Sequence, residues 1–208
     1  MDLELFIAER LLRFTSVRPR TFNQKIRHKA AYDRRRNLKI FADKLMVREY
    51  VAEKVGEERL TRLYQSGKES KAINFRELPR DFAIKVSHGS GGVILVWSDS
   101  KSKTVLPEPT KSGNWGRFEV TPQNLNPERV MKTVDKWLNQ SYYYRQFRHD
   151  LRFHIPEWCY KNLTPQYMFE ELLISEDGEL VPDIKFYILN GECEFIHVVS
   201  GDKSNAAR

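Results

Sequence analysis

The sequence predicts an α+β fold, and three observations predict it. Helix-spaced apolar residues fill much of the first fifty-five positions and return after residue 126. Short β-prone runs flank a glycine-rich loop at residues 82–97, and the last third alternates strand-like runs with turn signals. At 208 residues, 40% hydrophobic and 30% charged, the chain is long enough for one ordinary domain or for two small lobes sharing a cleft. A disordered or fibrous chain is excluded by the same composition.

Residues 2–14 set Leu3, Phe6, Ile7, Leu11, Leu12 and Phe14 at near-helical spacing, and Pro19 ends the pattern, so an amphipathic first helix is expected. "NQKIRHKAAYDRRRN" is strongly basic and compatible with a helix; it is either a solvated face or an anion-binding surface. "FADKLMVREYVAEKVG" has a start signal in Asp43, an apolar side of Leu45, Val47, Tyr50, Val51 and Val55, and a stop at Gly56. "LTRLYQSG" suits a strand leading into a loop, and "NFRELPRDF" a short helical turn closed by Pro79.

The runs "FAIKV" (82–86) and "VILVW" (93–97) predict a strand, a loop and a strand. Residues 98–122, polar and broken by Pro and Gly, are expected to be connection. "NPERVMKTVDKWLNQSYYYRQF" recovers helical spacing through Val130, Val134, Trp137 and Leu138, with Asn126 as cap before Pro127. "QYMFEELLI" then predicts a strand, "SEDGELVPD" an acidic turn, and "IKFYILNGECEFIHVVS" a hairpin turning at Asn190-Gly191, so the last third is expected to be antiparallel sheet.

The formal charge is +7, and all of it lies in the first fifty residues, which hold 13 Lys/Arg against 6 Asp/Glu. This is a basic N-terminal region on an otherwise neutral chain, suited to an anionic lipid, nucleic acid, metabolite or polymer. Cys159 and Cys193 lack metal-like or disulfide-like spacing and are expected to be reduced thiols of a cytoplasmic protein. The acids in "MDLELFIAERLLRF" argue against a signal peptide, and no stretch approaches the roughly 20 apolar residues of a membrane span.

Several constellations carry possible chemistry, each with a bland counterpart. Lys85 ends the strand before "SHGSGG", which is either a phosphate cradle with its lysine or an ordinary hairpin loop. A glycine loop between two strands lacks the donors and dipole of a helix N-terminus, so it must compensate with backbone N–H groups and that lysine. Asp43-Lys44-Leu45 is a capped helix start with a lysine. Asp183 and Lys185 share a face by period-2 spacing, as a surface ion pair or as groups for ribose and phosphate. His149, Asp150 and His154 have poor metal-ligand spacing, and "HGSGG" is not the G-x-S-x-G elbow of a hydrolase. Tyr142–Tyr144 beside Arg145 and Arg148 either stack on a base or sugar or pack one lobe on the preceding helix.

The order of these pieces resembles the ATP-grasp superfamily. "TFNQKI", "DKLMVREYV", "FAIKVSHGSGG", "WLNQSYYY", "EELL" and "PDIKFYILNGE" together resemble the TupA-like ATP-grasp family, found with teichuronopeptide and other polysaccharide biosynthesis genes, from about Thr21 to Asp202. The resemblance implies two α+β lobes with antiparallel sheets: a basic helical region over 1–40, a first lobe over 41–125 and a partial second lobe over 126–208. It implies that Lys44 and Lys85 contact nucleotide phosphates and that Gly89, Ser90, Gly91 and Gly92 close over them. It further implies that Glu170, Glu171, Leu172 and Leu173 address adenine, that Asp183 binds ribose, and that Lys185 faces phosphates or acceptor as a catalytic group.

The activity implied is ATP-dependent carboxylate–amine ligation through an acyl phosphate, in cell-envelope polysaccharide synthesis at the cytoplasmic side of the membrane. Its partners would be ATP, magnesium, an anionic glycan or carboxylate acceptor, an amine donor and glycosyltransferases of the same synthesis. The family's magnesium carboxylates are expected beyond Arg208, leaving the C-terminal lobe incomplete; a chain without them would lose most catalysis while still holding nucleotide. A noncatalytic nucleotide- or glycan-binding remnant of the fold is therefore the alternative. Nucleic-acid binding through "KIRHKAAYDRRR" is a third reading, with a steep salt dependence as its signature.

Overall fold

In the computed structural model, Ile7, Arg10 and residues 18–98, 105–110, 115–143 and 157–199 are described. The helix expected over 2–14 and the His149–His154 stretch lie outside these residues, apart from Ile7 and Arg10. The chain divides into two compact units, Met1–Glu171 and Leu172–Arg208.

Two helices of the first unit begin at side-chain caps that the sequence supplies. Helix α1 (Phe22–Tyr32) opens with a capping box: the Thr21 hydroxyl accepts from Gln24 N at 3.3 Å and the Gln24 carboxamide accepts from Thr21 N at 3.0 Å. A turn at Asp33, held by Arg35 at 2.7 Å, leads into α2 (Asn37–Ala42). Helix α3 (Met46–Val55) stops at Gly56, whose φ of 97° is costly for any residue with a Cβ. Helix α4 (Pro127–Leu138) is capped by Asn126, which accepts from Arg129 N at 3.0 Å, as the sequence predicts.

Five strands form one sheet in the order β1-β5-β2-β3-β4: β1 (Leu63–Gly67), β2 (Phe82–Val86), β3 (Val93–Val96), β4 (Arg117–Val120) and β5 (Tyr167–Glu170). The sheet is mixed: β3 and β4 run parallel, and every other neighbouring pair is antiparallel. The stretch 98–122, expected to be connection, contains β4 itself. About twenty residues separate the two strands, long enough for the crossover that parallel pairing requires. Only four residues of "RFEV" pair, too few for an alternation signal to stand out from the Pro/Gly-rich flanks.

Phe82, Ile84 and Val86 of β2, Ile94 and Val96 of β3, Val120 of β4 and Tyr167 and Phe169 of β5 point to one side of this sheet. There they pack with Val130, Val134 and Trp137, spaced i, i+4, i+7 along α4, as one core. On the other side Ala83, Leu95, Met168 and Glu170 are also buried, so the central strands have little solvent on either face. This explains why "FAIKV" and "VILV" are apolar runs without clean alternation.

The second unit holds a separate antiparallel pair, β6 (Asp183–Leu189) and β7 (Glu192–Val199). Its turn is the expected one: Asn190 and Gly191 have φ of 54° and 91°, the pair of positive values a type I′ turn needs. Before it, Ile174 and Leu180 bridge across the turn at 175–178. No helix among the described residues is long and apolar enough to cross a membrane.

Candidate functional site

The loop at 87–92 is anchored from both sides. Ser87 N extends the β2–β5 ladder by donating to Gln166 O at 2.8 Å, and its hydroxyl donates to Asp43 Oδ2 at 2.9 Å. The other Asp43 oxygen accepts from Leu45 N and Met46 N at 2.9 and 3.0 Å, so this residue caps α3 and pins the loop at once. Lys44 N donates to Ser87 O at 3.0 Å, while its Nζ donates to Val86 O at 3.0 Å and to Gly89 O. The tripeptide Asp43-Lys44-Leu45 is thereby joined to "VSHG" across more than forty residues of chain.

Two aromatic residues and a histidine hold the far side. Trp115 Nε1 donates to Ser90 O at 2.6 Å, and its ring lies near His88, Tyr142 and Trp137. A Cβ on Gly89 would fall 2.7 Å from both Trp115 and Tyr142, and Gly91 and Gly92 have φ of 77° and 65°. The three glycines are therefore needed for two reasons, close packing at the first and left-handed backbone at the others. His88 Nε2 donates to the Gln140 carbonyl at 2.9 Å, and burial pushes the imidazole below its ordinary range, keeping it neutral at pH 7.

Below the loop lies a charged cluster. Glu170 pairs in register with Ala83, which places its side chain diagonally beside Lys85 on the same face of the sheet. Lys85 Nζ donates to Glu170 Oε1. The second oxygen accepts from Arg48 Nη1 at 3.3 Å and from the Thr61 hydroxyl at 3.2 Å. Arg48 is fixed in turn by Thr61, through the hydroxyl at 3.2 Å and through the carbonyl.

Lys44, most of it out of water, is lowered to about 8, by burial first and by the charge of Lys85 second; Asp43 and Glu170 only partly offset these. Its ammonium is held mainly by carbonyl dipoles. The carboxylates of Asp43 and Glu170 are both engaged by other donors, so the cluster combines three basic side chains with two spoken-for acids. Such a site is suited to a multiply charged anion, which would restore the full charge of Lys44. Lysines, backbone N–H groups of a glycine turn and a partly desolvated setting fit phosphate oxygens. Among the described residues, no group of three His, Cys, Asp or Glu side chains is placed to hold a metal ion.

Of the residues singled out in the sequence, Lys44, Lys85, Gly89, Ser90, Gly91, Gly92, Glu170 and Glu171 all belong to the first unit. Glu171 pairs with the chain before β1, its N donating to Arg62 O at 2.8 Å and its carboxylate accepting from Arg62 N at 3.1 Å. In the second unit, Leu172 is half-buried, Leu173 is exposed and accepts through its carbonyl from Val181 N, and Asp183 and Lys185 lie two apart on exposed β6. Tyr142 packs on Trp115 and Tyr160, and Tyr143 is buried, which favours the packing reading of those tyrosines; Tyr144, Arg145 and Arg148 lie outside the described residues. Sequence reasoning missed Arg48, Thr61 and Trp115. No local periodicity marks them, and only the chemistry of a Trp between two glycines in "GNWG" sets one of them apart.

A glycine-loop hairpin within a mixed sheet, with lysines from a capped helix and from the strand itself, defines an ATP-grasp type of α+β fold. The family model described as TupA-like ATPgrasp matches residues 24–206, and the chain belongs to the TupA-like ATP-grasp family. No curated protein and no solved structure matches the chain.

Proposed function

We propose that the chain binds ATP and is an ATP-dependent carboxylate–amine ligase of cell-surface polysaccharide synthesis, of the teichuronopeptide type. The observation that carries the nucleotide part is the meeting of Lys44 and Lys85, distant in sequence, beneath one glycine loop. In this reading Lys44, Lys85 and the N–H groups of Gly89, Ser90, Gly91 and Gly92 hold the phosphates. The Glu170, Glu171, Leu172 and Leu173 segment addresses adenine, as the family resemblance implies. Asp183 serves ribose and Lys185 the phosphate or the acceptor, roles that rest on the family resemblance.

The reaction proposed has two displacements. A carboxylate oxygen of the acceptor attacks the γ-phosphorus and ADP leaves; an amine then attacks the acyl carbon, phosphate leaves, and the amine gives up a proton. Lys44 and Lys85 would offset charge on the transferring phosphoryl group. Magnesium, when bound, supplies further neutralisation of the phosphates. No group of three His, Cys, Asp or Glu side chains is gathered among the described residues, and no step is assigned through the metal.

Titration of the chain with AMP-PNP, followed by calorimetry, tests this reading. The wild type is expected to bind, with Lys85→Met and Lys44→Met each weakening affinity by about tenfold or more. Equal affinity in wild type and both variants overturns the site. Binding without magnesium-dependent ADP release, over a panel of carboxylate and amine substrates, would assign the chain to nucleotide binding alone.

A further inference from the structure

Arg48 lies within "DKLMVREYV" but has no role assigned above, yet it is the best-anchored cation near the loop. It projects from the first turn of α3, and its guanidinium grips the Thr61 hydroxyl and carbonyl with one edge and the Glu170 carboxylate with the same fork. Its side chain is 16% exposed and that of Glu170 9%, against 31% for Lys85. The rigid end of the chain of contacts is therefore Thr61–Arg48, and the accessible end is the Lys85 ammonium.

We propose that Arg48 is a positioning residue for Lys85, acting through Glu170, and that Thr61 fixes Arg48 for that task. The inference rests on the phosphate-binding reading of Lys85 and adds a residue to it. Two consequences follow from sharing one carboxylate between two cations. Direction comes first: with Oε2 tied to Arg48 and Thr61, Glu170 has one rotamer, and Oε1 sets where Lys85 Nζ stands. Charge comes second. A carboxylate facing Lys85 alone would cancel its charge, whereas one already matched by Arg48 leaves Lys85 able to meet a second anion. Asp43 cannot substitute for Glu170 here, since both of its oxygens are bound by the loop and the start of α3.

The test uses Arg48→Met, Arg48→Lys and Lys85→Met in the full chain, each checked for an unchanged melting profile, with AMP-PNP and adenosine as probes. Arg48→Met is expected to weaken AMP-PNP by about tenfold while leaving adenosine unchanged, with Arg48→Lys recovering part of the loss. In the Lys85→Met background, Arg48→Met should add nothing, because its effect passes through that lysine. Additive losses, or equal losses for adenosine and AMP-PNP, overturn the proposal in favour of a merely structural arginine.

A readout without nucleotide separates this inference from the reading it rests on. Lysine acylation followed by mass spectrometry should label Lys85 more slowly in Arg48→Met than in wild type, as Glu170 turns wholly to the ammonium. Unchanged labelling overturns the positioning role. If wild type fails to bind AMP-PNP while labelling still responds, phosphate binding is lost as the purpose and Arg48 is left setting the state of Lys85 for another anion.

Discussion

Strands β5 and β6 are both apolar runs, yet they end in opposite environments. All four residues of β5, Tyr167–Glu170, are buried, while all seven of β6, Asp183–Leu189, are exposed, Phe186 at 61%. The difference lies in their neighbours. Strand β5 sits between β1 and β2 with α4 packed beyond its apolar face, and among the described residues β6 pairs with β7 alone. A two-stranded ribbon has no layer of its own to bury against, so its stability rests on cross-strand pairs such as Tyr187 with Phe195, stacked at 4.2 Å. Depth, and with it the strength of any charge interaction, is a property of the surrounding sheet.

Phe169→Ala puts this comparison to its hardest trial. The ring is fully buried and meets Phe75, Phe82 and Tyr167, so the loss should be about 3–5 kcal/mol of unfolding free energy, read from urea denaturation. A smaller effect is expected from Asp43→Ala, which removes the cap of α3 and the bond to Ser87 together, at about 1–2 kcal/mol. A loss confined to helix content, with AMP-PNP affinity intact, would show that the tie between helix and loop does not matter to the site.

The buried cluster should also declare itself through pH. Lys44 in the free chain releases its proton at about 8, and an anion bound beside it raises that value. Affinity for AMP-PNP is then greatest below about 8 and falls as pH rises through it, by at most tenfold per unit, until the bound lysine itself deprotonates. Calorimetry between about pH 7 and pH 9 should show that slope in wild type and a flat line in Lys44→Met. The smallest effect is expected in the second unit, where Phe186→Ser on exposed β6 should shift stability by no more than about 0.5 kcal/mol. A loss approaching that of Phe169→Ala would mean that β6 is covered in solution and would erase the contrast between the strands.

Much of the fold is legible in local sequence because caps and turns are local devices. Asp43 ties the start of α3, Gly56 ends it, Asn126 caps α4 and Asn190-Gly191 turns its hairpin, all through bonds or dihedral angles spanning only a few residues. Strand β4 was hidden, since four paired residues in a Pro/Gly-rich stretch carry no periodicity and its partner lies some twenty residues back. In the site, Lys44, Lys85 and the glycines stand in recognisable motifs. The roles of Arg48, Thr61 and Trp115 are not marked there, even though Arg48 lies within "DKLMVREYV", because each is defined by what it touches in space.

By itself the sequence determined the α+β class, the stop of α3 at Gly56, the Asn126 cap of α4, the glycine hairpin and the order of motifs that marks the family. Tertiary structure alone decided that Asp43 holds Ser87, that Lys44 loses part of its hold on its proton, and that Glu170 divides its carboxylate between Lys85 and Arg48. The physical reason is range. Caps and turns act over one or two peptide units and are written in adjacent residues. Desolvation and ion pairing depend instead on which segments fold together, and here those partners stand 41 (Lys44 to Lys85) to 122 (Arg48 to Glu170) residues apart.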